Sequence, residues 1–500
     1  MFRRQGLRAT VAACSATAFL AAPAFAGTGT PGAPGAGDPY FPHYGNGGYD
    51  VSHYDIQLRY QPQDDHLTGT TTIVAKPTQD LSAFNLDFAL KVKSVRVNGQ
   101  PAEFHHEGSE LTVTPPQTLP KGGLATFVVD YDDVPSTVEV DGIKPWIRTS
   151  DGALAVGEPE IAAWWFPSND HPRDKATYDI AVTVPDGNQV LSNGVNTRTS
   201  SMNGWTTWKW RDTKPTASYL AFMAVGEYEV SNKTGAFGKP FVSAYSRGLG
   251  DLEGAAKASV ERTPEVLDFL SGLFGEYPFE AEGGVVSSEG MNFALENQTR
   301  PTYSHKFFKD GANTSVVVHE NAHQWFGDSV SVDTWRDIWL NEGFASYAEW
   351  LWSEKQGTGT AQQLFDHYYA QYPADDPFWQ IKPGEPGAKD VFSDAVYDRG
   401  AMALQALRNV IGDRALQDVV RSWVQQKQYS NGTIEEFIKL AEQRSGKQLD
   451  DFFKVWLFTS GKPPVGPQYG VPETATTHAA AVPKAVPELD RTHALLHEQH

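Results

Sequence analysis

The chain is 500 residues long, with 40% apolar residues, 14 Trp, 19 Tyr, 27 Phe and a formal net charge of -20. That length suits two domains better than one, and the aromatic content excludes a largely disordered chain. The acidic balance argues against nucleic acid or an anionic membrane as a partner.

In chain order, "MFRRQGLR" is a basic start and "ATVAACSATAFLAAPA" an apolar stretch, and Ala24-Phe25-Ala26 is a small-x-small cleavage site. Together they predict a secretory signal peptide over 1–26, hence a secreted, extracellular protein with no membrane anchor after cleavage. Pro23 and the Gly-rich sequence beyond it disfavour an anchor. Arg3-Arg4 fits a twin-arginine export route, and "VAAC" resembles a lipobox preceded by too little apolar sequence. Cys14 is the single cysteine. The mature chain therefore has no thiol chemistry, and a metal must be held by His and carboxylates.

"GTGTPGAPGAGDP", 27–39, is expected to be a flexible linker. Over 40–235, "HYDIQLRY", "TGTTTIVAK", "ATFVVDY" and "ATYDIAVTVP" alternate apolar and polar residues between turn signals. This pattern predicts an antiparallel β-sandwich-like domain. A second domain follows over 236–465, β-rich at first and helical from 313 to 459. Thr433 to Glu436 in "TIEEFIKLAEQRSG" forms a capping-box pattern with a glycine stop. The Pro- and Ala-rich tail, 466–500, is expected to be mostly disordered. Its His478, His493, His497 and His500 hint at metal binding, but a solvated tail is the simpler reading.

The chemistry concentrates in "VVVHENAHQWFGDSV". Residues four apart on a helix lie on one face, so His319 and His323 point their nitrogens at one ion. Asn313 to Ser315 can cap that helix and Gly327 can end it. Glu320, a third of a turn away, sits where a base for a metal-activated water belongs. Eighteen residues after His323 comes Glu342, in "WLNEGFA". A carboxylate among Trp339, Leu340 and Phe344 needs a partner, and a metal ion supplies one. Two His and one Glu leave a coordination position open, the catalytic pattern for Zn2+.

"HENAHQWFG" with "WLNEGFASY" resembles the gluzincin aminopeptidases of the aminopeptidase N family. "FPSNDHPRDKATYDIAVTVP" and "FFKVWLFTSGKP" extend the resemblance over roughly 49–463. It implies an N-terminal β-domain joined to a thermolysin-like α+β catalytic domain, and a substrate peptide with a free N-terminus. The family binds the peptide's ammonium through a Gly-x-Met-Glu-Asn motif; "FALEN" stands here, with Phe293 and Leu295 replacing Gly and Met and Glu296 keeping the acid. Glu158, in "GEPEIAAWWFP", falls where the family has a second amine-binding acid, while Ser168 and His171 replace its Cys and Glu. "VYDRGAMALQALR" resembles the helix start that supplies an oxyanion donor, here Tyr397.

The resemblance implies a secreted zinc aminopeptidase with Glu320 as general base. Rival readings are a zinc endopeptidase and a secreted zinc-binding protein without hydrolase activity. Many relatives continue into a helical C-terminal domain, so a short form with an open or partner-covered cleft is expected.

Overall fold

A computed structural model of the chain describes residues 29–476 and 481–496. The expected signal peptide, 1–26, lies outside the described residues, as do His478, His497 and His500.

Alternation builds the first domain. In Tyr49–Gln61, Tyr49 and Val51 are buried, then the register shifts between Val51 and His53. Tyr54, Ile56, Leu58 and Tyr60 are buried beyond it. The bulge moves the apolar set from odd to even positions, so both halves of the strand keep one face on the core. This strand lies in an eight-stranded sheet between Ala176–Pro185 and His66–Pro77. A four-stranded sheet with Leu81–Asp87 and Glu110–Thr114 packs on it, and Phe84 stacks on Phe127 at 4.0 Å between the two. The expected antiparallel sandwich is nevertheless not purely antiparallel. Tyr49–Gln61 pairs in parallel with Ala176–Pro185, because that strand returns after a long excursion through the smaller sheets.

The second domain opens with a five-stranded mixed sheet in the order Tyr228–Thr234, Pro240–Ser246, Glu282–Ser287, Thr302–Ser304, Ala294–Leu295. Helices α1 (Thr314–Ala322), α2 (Trp339–Gln356) and α3 (Gly400–Ile411) follow, the last entered through a π-helical turn, Ala395–Arg399. The capping box at Thr433 and Glu436 is present, with Gly446 left-handed at the helix end. The boundary expected at 235/236 falls inside the hairpin Tyr228–Thr234/Pro240–Ser246, both strands of which belong to the second sheet. The change of domain therefore precedes Tyr228.

Two further expectations are corrected. The described part of the linker, 29–39, is tied to the first domain by backbone hydrogen bonds. Thr30–Pro31 adds a parallel strand to Leu81–Asp87. Asp38 is buried and accepts from the backbone N–H groups of Tyr40, Phe41 and Trp335 while meeting His171. The glycines serve close approach: a Cβ on Gly32 would lie 2.4 Å from the Gly47 carbonyl oxygen. The tail is likewise not simply disordered. Helix α4 (Val486–Leu496) seats Val486, Leu489 and Leu496 in the core of the second domain. That period-of-three-to-four apolar pattern is an amphipathic helix masked by flanking Pro and Ala.

Candidate metal centre and active site

Helix α1 is capped by Asn313, whose side chain accepts from the Val316 N–H at 3.2 Å. It ends at Ala322, before the expected Gly327, and His323 occupies the C-cap. All of its residues are buried. Helix α2 is held against it by Phe344, which stacks on Phe326 with ring centroids 4.3 Å apart. Helix α3 reaches α2 through two facing glycines. A Cβ on Gly400 would lie 3.0 Å from the Gly343 Cα and 2.7 Å from the Trp339 ring. The glycines of "NEG" and "DRG" thus bring the Tyr397 turn onto the segment that carries Glu342.

These contacts make His319, His323 and Glu342 converge. Glu342 Oε2 lies 3.3 Å from His319 Nε2 and 3.4 Å from His323 Nε2. Two ligands about 2.0–2.1 Å from one ion at a tetrahedral angle stand about 3.3 Å apart. The spacing therefore fits a shared metal ion. His319 Nδ1 lies 2.8 Å from Glu349 Oε1, and His323 Nδ1 lies 2.9 Å from the Phe326 carbonyl oxygen. Each Nδ1–H donates outward, which leaves each Nε2 lone pair for the ion. Burial alone pushes the Glu342 carboxyl up, but the His323 and His319 rings, when protonated, outweigh it and hold the group at about 2. Glu342 is thus ionised, as a ligand must be. Two imidazoles and one carboxylate are the donor set of a catalytic zinc centre.

Glu320 is buried beside this triad, and its Oε1 has no protein partner. Burial drives its carboxyl up to about 8, against the pull of His319 and His323. Donor atoms of Glu296, Glu320 and His323 lie within 4.8 Å of one another, so the FALEN acid adjoins both Glu320 and the metal triad. Tyr219, from the first domain, donates to Glu296 Oε1 at 3.3 Å, and Gln324 Nε2 donates to the Glu296 carbonyl at 3.0 Å.

Glu158 also faces the site from the first domain. Its Oε1 is secluded without a partner. Burial pushes its carboxyl well above the ordinary range, and the nearby Glu296 and Glu342 push it further. Two buried acids from two domains, one of them with a partnerless oxygen, favour a cationic group beside the triad. Tyr397 is buried with its ring stacked on that of His319 at 5.8 Å. All seven side chains singled out from the sequence therefore meet in one place.

Four contributors were not anticipated. Glu349 lies two turns after Glu342 on α2, a spacing that could have pointed to it. Tyr219 and Gln324 brace Glu296 through contacts distant in sequence. His493 was set aside with the tail, yet it is buried against Glu349.

Residues 51–220 match the Peptidase M1 N-terminal domain, and residues 259–456 match the Peptidase family M1 domain. The crystal structure of an M1 zinc metallopeptidase from Deinococcus radiodurans is 30% identical, with a TM-score of 0.77, over 86% of this chain and 99% of that one. A mutant M1 zinc metallopeptidase from the same organism, bound to a Tyr-Ser-Ala substrate, is 28% identical with the same TM-score of 0.77. Glutamyl aminopeptidase of Sus scrofa is 25% identical over 455 residues, which are 82% of this chain and 47% of that protein. Probable aminopeptidase 2 of Sulfurisphaera tokodaii is 26% identical over 324 residues, 60% of this chain and 40% of the relative. The chain spans about half the length of these curated relatives or less. Because both domains are matched in order and a neighbour of comparable extent superposes on them, the chain belongs to peptidase family M1.

Proposed function

We propose that the chain is an exported zinc aminopeptidase that removes residues from the N-termini of peptides. The observation that carries this reading is the metal triad with the acids Glu296 and Glu158 beside it. His319, His323 and Glu342 would hold zinc, which would supply Lewis acidity toward a water and the scissile carbonyl. Glu296 and Glu158 accept hydrogen bonds from the substrate's α-ammonium, which sets the first peptide bond at the triad. Glu320 takes a proton from the attacking water and delivers it to the leaving amine nitrogen. Tyr397 donates its hydroxyl hydrogen to the carbonyl oxygen as that oxygen gains charge.

Support comes from the geometry, from family membership and from relatives named as aminopeptidases. The test is a panel of fluorogenic aminoacyl amides, each with a free and an N-acetylated amine, run with zinc and with chelator. Zinc-dependent cleavage of the free amines alone is expected. Equal cleavage of acetylated amides, or internal cuts in casein, indicates an endopeptidase instead. Zinc binding with no hydrolysis indicates a binding protein. The Glu320→Gln variant is expected to retain zinc and lose turnover, and near-normal turnover removes its role as base. Export rests on the N-terminal sequence, and protein recovered from the medium is expected to begin at Gly27.

A further inference from the structure

We propose that His493, delivered by helix α4, is a positioning residue for the metal centre. It stands at the middle of a buried hydrogen-bonded chain. His319 Nδ1 and His493 Nε2 both meet Glu349 Oε1, at 2.8 and 2.9 Å. The Ser315 hydroxyl donates to the other Glu349 oxygen. On its far side His493 Nδ1 meets Asp398 Oδ1 at 2.7 Å, and Asp398 directly follows Tyr397. His493 thus links the metal-facing imidazole to the turn that holds the oxyanion donor.

Each ring nitrogen of His493 faces a carboxylate, so each carries a hydrogen and donates it. The cationic ring between Glu349 and Asp398 meets two buried carboxylates at once and compensates their charge. With Glu349 fixed by His493 and Ser315, His319 keeps its Nδ1–H directed at that carboxylate and its Nε2 stays aimed at Glu342. The group His319–Glu349–His493 is not a second metal site. Its separations of 2.8 and 2.9 Å are those of N–H···O bonds, shorter than the 3.3 and 3.4 Å that separate the ligands of the triad.

The rest of α4 holds the ring in place. Glu488 Oε1 accepts from the Thr314 and Ser315 N–H groups at 3.0 Å each, satisfying two open donors at the start of α1. Asn313, the α1 cap, donates to Thr492 Oγ1 at 2.9 Å. Helix α4 therefore braces the N-terminus of the helix that carries His319 and is capped by His323, and His493 completes the brace from inside.

This inference rests on the zinc reading of the triad, so zinc affinity is measured by chelator competition separately from turnover. His493→Ala is expected to weaken zinc binding by about 10–100-fold, as losing an outer hydrogen-bond partner of a ligand does. It should also lower kcat with little change in KM, because His493 touches no substrate. Added imidazole is expected to restore part of the zinc affinity. Leu489→Ala, which loosens the same helix without touching the relay, should lower Tm yet leave zinc affinity within about twofold. Equal loss of zinc affinity in the two variants would mean a merely structural helix and would overturn the proposal. If the alanine variant does not fold, His493→Gln carries the test. It keeps an amide donor to Glu349 without the positive charge, and an unchanged zinc affinity there also overturns it. A wild-type chain that binds no zinc overturns the zinc reading itself, which separates the two failures.

Discussion

At Glu349 a single carboxylate serves three donors: His319, His493 and Ser315. Burial raises its carboxyl, but His493 and His319 outweigh that and bring it down to about 2. Removing it leaves His319 free to turn or to change tautomer. Glu349→Ala is therefore expected to lose zinc about 10–100-fold more readily, measured by chelator competition. Tyr397→Phe acts at a different step. The ring still stacks on His319, so zinc binding should persist while kcat falls by roughly 10²–10³; a fall below tenfold would remove Tyr397 as the oxyanion donor. The triad was legible because its spacing is local: His319 and His323 share a helical face, and Glu342 sits in an apolar setting no lone charge tolerates. The Glu296 brace was not, since Tyr219 reaches it from another domain, and neither residue type nor spacing signals such a contact.

Between elements, the close pair of Gly343 and Gly400 decides how near the Tyr397 turn comes to the Glu342 segment. A methyl group at Gly400 meets the Gly343 Cα at 3.0 Å and the Trp339 ring at 2.7 Å, neither of which can yield without moving a helix. Gly400→Ala should thus lower kcat by more than about tenfold, since misplacing a catalytic group by about 1 Å costs on that order or more. Zinc affinity should fall less than kcat, because His319 on α1 and His323 at its C-cap lie outside the contact. Similar reasoning explains where the sequence misled. The Gly-rich run at 27–39 suggests freedom of motion, yet at Gly32 a Cβ would lie 2.4 Å from the Gly47 carbonyl oxygen. Composition alone does not separate these two uses of glycine. Strand alternation in the first domain was read without difficulty, since burial of one face leaves a period of two. Helix α4 was missed because its apolar face is narrow and its flanks are low in complexity.

The whole molecule buries many acids, and this sets its response to pH. Burial raises Asp170 to about 6, Asp212 and Glu282 to about 7 and Asp174 to about 8. Their unfolded values lie near about 4. Each binds its proton more tightly in the folded chain, so its stabilising contribution is whole below that unfolded value and fades as pH rises through 6 to 8. Lys175 has the opposite sign. Burial lowers it to about 7, so the unfolded chain takes up more protons above that pH and stability gains there. One cation does not offset several acids below pH 8. Tm is therefore expected to be lower at pH 8.0 than at pH 5.5, by roughly 5 °C or more. The comparison belongs in chelator-treated protein, because zinc binding itself strengthens as its ligands deprotonate and would oppose the trend. Asp174→Asn can keep hydrogen-bonding capacity toward the Val51 N–H and Asn169 while removing the titration. It should flatten the slope between pH 5.5 and 8.0; a wild-type Tm that is level or rising over that range would show that these carboxyls are hydrated and ordinary in the folded chain.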